Sequence, residues 1–163
     1  MISYERYPGI RLLADQPSPS WSREKAQQIA EAMLREHNTR IKAFIVANDD
    51  MAGGVAEVLE AHGLSGEVIL VGGDGDLQAL ERIKAGKQHG TAFQNWMELA
   101  SETLRFAIDV AQGQVDRDKL QRRRILHNPP GAAVYVKELP YTFVDDTNVG
   151  LLEDFWTTAQ PAP

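Results

Sequence analysis

The sequence predicts an α/β fold, a parallel sheet with flanking helices, and three observations predict it. Short apolar runs alternate with amphipathic segments along most of the 163 residues, the pattern of strands joined by crossover helices. The amphipathic segments carry apolar residues at helical spacing and stop at Gly63, Gly86 and Gly113. Polar residues gather just after the apolar runs: Asp15 and Gln16, Asn48 and Asp49, Asp74, and Gln94. In an open parallel sheet the carboxyl ends of the strands lie along one edge, and ligands bind there.

The first apolar run, residues 10–14, reads as a strand. After a Pro/Ser loop, Ser22 stands where its hydroxyl can cap a helix. Ala26, Ile29, Ala30, Met33 and Leu34 then share one face as far as Asn38. Residues 41–47 read as a buried strand, and Met51, Val55, Val58 and Leu59 mark a second helix that ends at Gly63. Residues 67–72 are the next strand. Leu77, Leu80 and Ile83 mark a third helix, closed by Gly86, before a short strand over 90–93. Asn95 with Glu98 forms a capping box for a long helix over 95–112, with Leu99, Thr103, Ala107 and Ala111 among its apolar positions. Pro129, Pro130, Gly131 and Pro140 then break the chain, and short strands are expected around 133–136 and 141–144. No internal repeat is visible, and the tail Gln160-Pro-Ala-Pro is expected to fray.

Composition narrows the function classes. With 17 basic and 23 acidic residues the net charge is −6, which gives no electrostatic footprint for nucleic acid or for an anionic membrane surface. The Arg122-Arg123-Arg124 run reads as a solvated turn. Without cysteine there is neither a disulfide framework nor a thiolate metal site. The four histidines, His37, His62, His89 and His127, fall at helix ends and loops without metal-ligand spacing. The start, Met1-Ile-Ser-Tyr-Glu-Arg, lacks the basic residues and apolar run of a secretory signal. No stretch is long and apolar enough to suggest insertion into a membrane. No cofactor, metal site or catalytic residue is expected.

The expected rim carries carboxylates and amides. Carboxylates accept from adjacent hydroxyls, and side-chain amides both donate and accept. The set therefore suits a neutral polyol better than a phosphate, which would call for Arg, Lys or a glycine nest. Trp21, just past the first apolar run, adds a flat apolar face for the C–H side of a sugar ring. The same Asn and Asp residues also suit turns and helix caps. Asp74-Gly75-Asp76 after an apolar run is the D-x-D of a magnesium-dependent haloacid-dehalogenase-like phosphatase. That pattern needs the strand to end at its first Asp, and here two glycines are expected to intervene. Asn48-Asp49-Asp50 suggests the acidic pocket of a receiver domain, but no lysine follows a last strand. Gly73-x-Gly75 lacks the third glycine of a dinucleotide fingerprint, Gln78 standing in its place.

Four strings share order and spacing with one known family: Ile45-Val-Ala-Asn-Asp-Asp-Met-Ala-Gly-Gly, Val68-Ile-Leu-Val-Gly-Gly-Asp-Gly, Ile83-Lys-Ala-Gly and Thr91-Ala-Phe-Gln. Together they resemble the carboxyl-terminal half of the type I periplasmic sugar-binding proteins, the xylose- and ribose-binding members above all, from about residue 10 to 148. The resemblance implies an incomplete lobe of the periplasmic-binding-protein-like I fold and the binding of a pentose or hexose without chemistry. It implies that Asn48 bonds sugar hydroxyls, that Asp74 accepts from two of them and that Gln94 stands at the crossing between lobes. Trp21 would stack on the ring, with Gln16 or Asp15 lining the same mouth. Residues 10–93 would be a carboxyl-terminal-lobe-like unit, 94–138 a helix and strand belonging to the other lobe, and 139–163 the hinge return and tail. The implied partners are a monosaccharide, an ABC permease or a sensor kinase, and the implied location is periplasmic or extracellular. Family members have two lobes, and the first lobe with the opening strand and helix of the second has no counterpart here. A separately made first lobe or a homodimer would then cover the face of the 95–112 helix. The effector-binding domain of a LacI-like regulator shares the fold, but no helix-turn-helix segment accompanies it.

Overall fold

In the computed structural model, residues 7–37, 40–115, 121–124, 133–136 and 139–159 are described. The chain forms two compact units, Met1–Phe93 with Phe143–Pro163 and Gln94–Thr142. The first holds a 3-10 turn at Pro19–Trp21, then α1 (Arg23–His37), β1 (Ala43–Ile45), α2 (Asp49–Ala61), β2 (Ile69–Asp74), α3 (Leu77–Lys84) and β3 (Gly90–Phe93). The second holds α4 (Trp96–Ala111) and an antiparallel pair, β4 (Gln121–Arg124) with β5 (Ala133–Val136). The chain then returns through β6 (Thr142–Val144), which joins the sheet of the first unit, and ends its described part in α5 (Gly150–Ala159).

The sheet order is β1-β2-β3-β6. β1 pairs β2 in parallel, Ala43 opposite Ile69, and β2 pairs β3 in parallel, Gly72 opposite Thr91. All three therefore point their carboxyl ends the same way.

Capping and packing explain the helices around this sheet. Ser22 Oγ accepts from the Lys25 amide at 3.2 Å and opens α1, which buries Ala26, Ala30 and Leu34 at four-residue intervals. α1 lies on α2, and Gly54 permits the approach: a Cβ there would stand 2.6 Å from the Arg23 carbonyl oxygen. Glycine inside a helix costs about 0.5–1 kcal/mol. Closer burial of side chains such as Leu34 and Leu59, at about 1.5–3 kcal/mol each, offsets that. A second cluster, Leu80, Phe93, Val144 and Leu152, packs with Phe155 and Trp156.

Several expectations need correction. Residues 10–14 do not form a strand: they join no ladder, the Ile10 amide closes a local turn onto the Tyr7 carbonyl at 2.8 Å, and Ile10 and Leu12 are exposed. β1 is shorter than residues 41–47 and is not buried on both faces, since Ala43 and Ile45 are exposed. β2 is displaced two residues toward the carboxyl terminus because the Glu67 and Val68 amides close a turn onto the Leu64 carbonyl. Leu77 begins α3 exposed rather than in the core. Arg122, Arg123 and Arg124 are not a turn but β4, paired backbone to backbone with β5. α5 was not anticipated; the tail 160–163 lies outside the described residues. Among the described residues no helix is long and apolar enough to cross a membrane.

Candidate functional site

Asn48 and Asp74 stand at the carboxyl edge of β1 and β2. Asn48 is the N-cap of α2, its Oδ1 accepting from the Met51 amide at 3.0 Å. With the oxygen committed to the cap, the side-chain NH2 is the group it can offer outward. Asp74 is the last residue of β2 and is exposed. Gly73 brings the two together: a Cβ there would lie 2.9 Å from the Ala47 carbonyl oxygen and 3.9 Å from Cα of Asn48, so only glycine lets β2 pass this close.

Asp74 carries φ +90°, followed by Gly75 at +76°. An aspartate in that region is uncommon and has to be held there by its surroundings. Partial burial, with the Asp76 charge beside it, pushes the Asp74 carboxyl above its ordinary range. Asp76 does not face outward with it, since its Oδ1 accepts from the Ala79 amide at 2.5 Å and caps α3.

Asp49, expected on the rim, is fully buried instead, with 0% exposure. Its Oδ2 accepts from the Gly75 amide at 2.8 Å, the Asp76 amide at 3.2 Å and the Thr91 hydroxyl at 2.7 Å, while Oδ1 accepts from the Gln88 amide at 2.8 Å. Burial raises its pKa, and the bonds from Thr91, Gln88 and the Asp76 amide work against that rise. Arg82 braces the same group through the Asp49 main-chain carbonyl at 2.7 Å. Burial lowers the guanidinium's pKa, opposed by Asp76 and Asp49.

Trp21 ends the 3-10 turn, 62% exposed, and both Ser20 and Trp21 have positive φ, 62° and 54°. It precedes α1 by two residues, and Arg23 bonds Asp50 in the first turn of α2, so Trp21 sits toward the end of the unit that carries Asn48. Asp15 and Gln16 are exposed in a segment without regular structure. Gln94 directly follows β3 and is the first residue of the second unit.

The phosphatase motif has to be reconsidered, because β2 runs through both glycines and does end at Asp74. What now tells against it is the commitment of Asp76 to a helix cap and of Asp49 to four donors. A receiver-like pocket is likewise filled from within. Sequence reasoning missed the Asp49–Gln88–Thr91 network. Its signal was present as an acid directly after a helix cap, facing two consecutive glycines in the next strand: a Cβ at Gly72 would stand 2.1 Å from Oδ1 of Asp49.

Comparison with known proteins sets this geometry in context. The family model described as periplasmic binding protein domain matches residues 2–114. The D-xylose-binding periplasmic protein of Haemophilus influenzae is 34% identical over 121 residues, 74% of this chain and 36% of that protein. A twin-arginine translocation pathway signal protein from Burkholderia phytofirmans superposes with TM-score 0.74 at 28% identity, over 96% of this chain and 45% of that one. An ABC transporter periplasmic solute-binding protein from Actinobacillus succinogenes, solved with bound D-allose, superposes with TM-score 0.72 at 26% identity, over 91% and 46%. The chain thus spans between about a third and a half of the length of these relatives.

Proposed function

This chain belongs to the periplasmic binding protein domain family, and from that premise we propose that it contributes one wall of a monosaccharide site, binding a pentose or hexose without transforming it. The observation that carries the reading is the pairing at one sheet edge of an exposed Asp74 carboxylate with an Asn48 amide whose oxygen is already engaged. One accepts from sugar hydroxyls and the other donates to them. Trp21 supplies an exposed indole for the ring's apolar side, with Asp15 and Gln16 as further polar contacts. The D-xylose and D-allose in the names of the relatives are the natural first ligands to try. The protein works in the periplasm or outside the cell and delivers its sugar to an ABC permease or reports it to a sensor kinase.

The test is a titration of the 15N-labelled chain with D-xylose, D-allose, D-ribose and D-glucose, followed by amide resonances, which register binding as weak as millimolar. The Asn48 side-chain NH2 and the amides of Gly75 and Asp76 are expected to move with at least one sugar. Absence of movement with all four, or equal movement in Asp74→Ala and Asn48→Ala, would overturn the reading.

A further inference from the structure

We propose that the buried Asp49 is a positioning residue for ligand recognition: it holds the Asp74-Gly75-Asp76 turn by two backbone N–H groups and so sets where the Asp74 carboxylate points. The inference rests on Asp74 being a ligand acceptor and adds a residue that solvent and ligand do not reach.

The network around Asp49 leaves each group one role. Arg82 Nε donates to Gln88 Oε1 at 2.8 Å, which turns the Gln88 NH2 toward Oδ1 of Asp49 and the Gly90 carbonyl. Thr91 donates its proton to Oδ2 and accepts from the Gly75 amide at 3.2 Å. Four donors thus compensate the charge, while Arg82 reaches Asp49 only through its main-chain carbonyl and stands 3.8 Å from Asp76. A neutral amide at position 49 would aim an NH2 either at the Gln88 NH2 or at the Gly75 and Asp76 amides, so one side of the network must open.

The turn is gripped elsewhere too. Trp156 Nε1 donates to the Gly75 carbonyl at 3.0 Å, and a Cβ on Gly75 would stand 2.5 Å from the Phe93 ring and 2.9 Å from Leu152. With Gly75 clamped and Asp76 spent on its cap, Asp74 is the one residue of the turn whose side chain is exposed. Its positive φ is a conformation that an L residue keeps only when its neighbours enforce it. Asp49 supplies that enforcement from the N–H side.

The experiment compares wild type with Asp49→Asn by NMR, reading the Gly75 and Asp76 amide protons, the Asp74 HN–Hα coupling that reports φ, and affinity for D-xylose and D-allose. The expected result is an upfield move of both amides, an altered Asp74 coupling, and about tenfold weaker sugar binding by the folded protein, with core resonances of Leu59 and Leu70 in place. In an Asp74→Ala background Asp49→Asn should weaken binding no further, a coupling that a merely stabilising role would not produce. If Asp49→Asn does not fold, Thr91→Val, which removes one donor to Oδ2 and one acceptor for Gly75, is read the same way. Unaltered turn signals, or unaltered affinity with the turn displaced, overturn the role of Asp49 alone. A wild-type chain that responds to none of D-xylose, D-allose, D-ribose and D-glucose removes the ligand reading and this role with it.

Discussion

Helices α2 and α4 begin and end alike and meet opposite fates. Each is opened by an asparagine whose side chain accepts from the third amide of the helix, and each is followed by a glycine with φ near +67°, Gly63 and Gly113. Yet α2 buries nine of its residues, Met51, Val55 and Leu59 among them, whereas α4 buries none. Leu99, Leu104, Phe106, Ile108 and Val110 of α4 are exposed, Leu104 by 63%. Caps, period and stop glycine decide that a helix forms and where it ends. They do not decide whether its apolar face is covered, which depends on what the rest of the fold brings to it.

The contrast can be broken most sharply by cavities. Leu59→Ala or Leu70→Ala, at positions almost without exposure, is expected to lower unfolding free energy by about 2–5 kcal/mol in urea, and Leu104→Ala on α4 by no more than about 0.5 kcal/mol. A comparable loss at Leu104 would mean that α4 has a covered face after all.

Within the first unit, binding and stability should separate. Asp74→Ala is expected to weaken sugar binding by about 1–3 kcal/mol with little change in melting temperature, because its side chain is exposed. Asn48→Ala should weaken binding and also remove the α2 cap, worth about 0.5–2 kcal/mol. Calorimetric titration and thermal melts on the two variants check both.

A smaller effect is set by pH. The folded pKa of Asp49 lies above its unfolded value, so the native state binds its proton more tightly. Stability from this group is therefore greatest at low pH and declines as pH rises from the ordinary carboxylate value, about 3.9, through the raised one. Asp49→Asn should flatten that limb of a stability–pH curve, and an unchanged slope would mean that Asp49 does not titrate there. The exposed stripe on α4 supplies the last test. Sedimentation at increasing concentration is expected to show self-association that Leu104→Glu with Val110→Glu suppresses, a monomer throughout being the contrary result.

The sequence by itself determined helices α1 to α4 and the places of Asn48 and Asp74 at the ends of their strands. Ser22, Asn48 and Asn95 cap through hydrogen bonds between a side chain and an amide three residues on, and Gly63, Gly86 and Gly113 stop helices through a positive φ. Both effects act within one turn of chain and need no distant partner. β3 was legible for a similar reason, since a short apolar run between turn signals has few alternatives. Only tertiary structure decided the rest. Residues 10–14 have a strand's composition and form none, because a strand exists only where a ladder satisfies its backbone. Arg122, Arg123 and Arg124, which their charge assigned to a turn, are a strand because β5 lies beside them. Asn48 and Asp49 are neighbours of similar chemistry, and the approach of Gly72 and Gly73 sends one to the rim and the other under it. Burial of a charge depends on donors gathered from Gly75, Asp76, Gln88 and Thr91, all 26 or more residues away in the chain, and local pattern carries no information about that convergence.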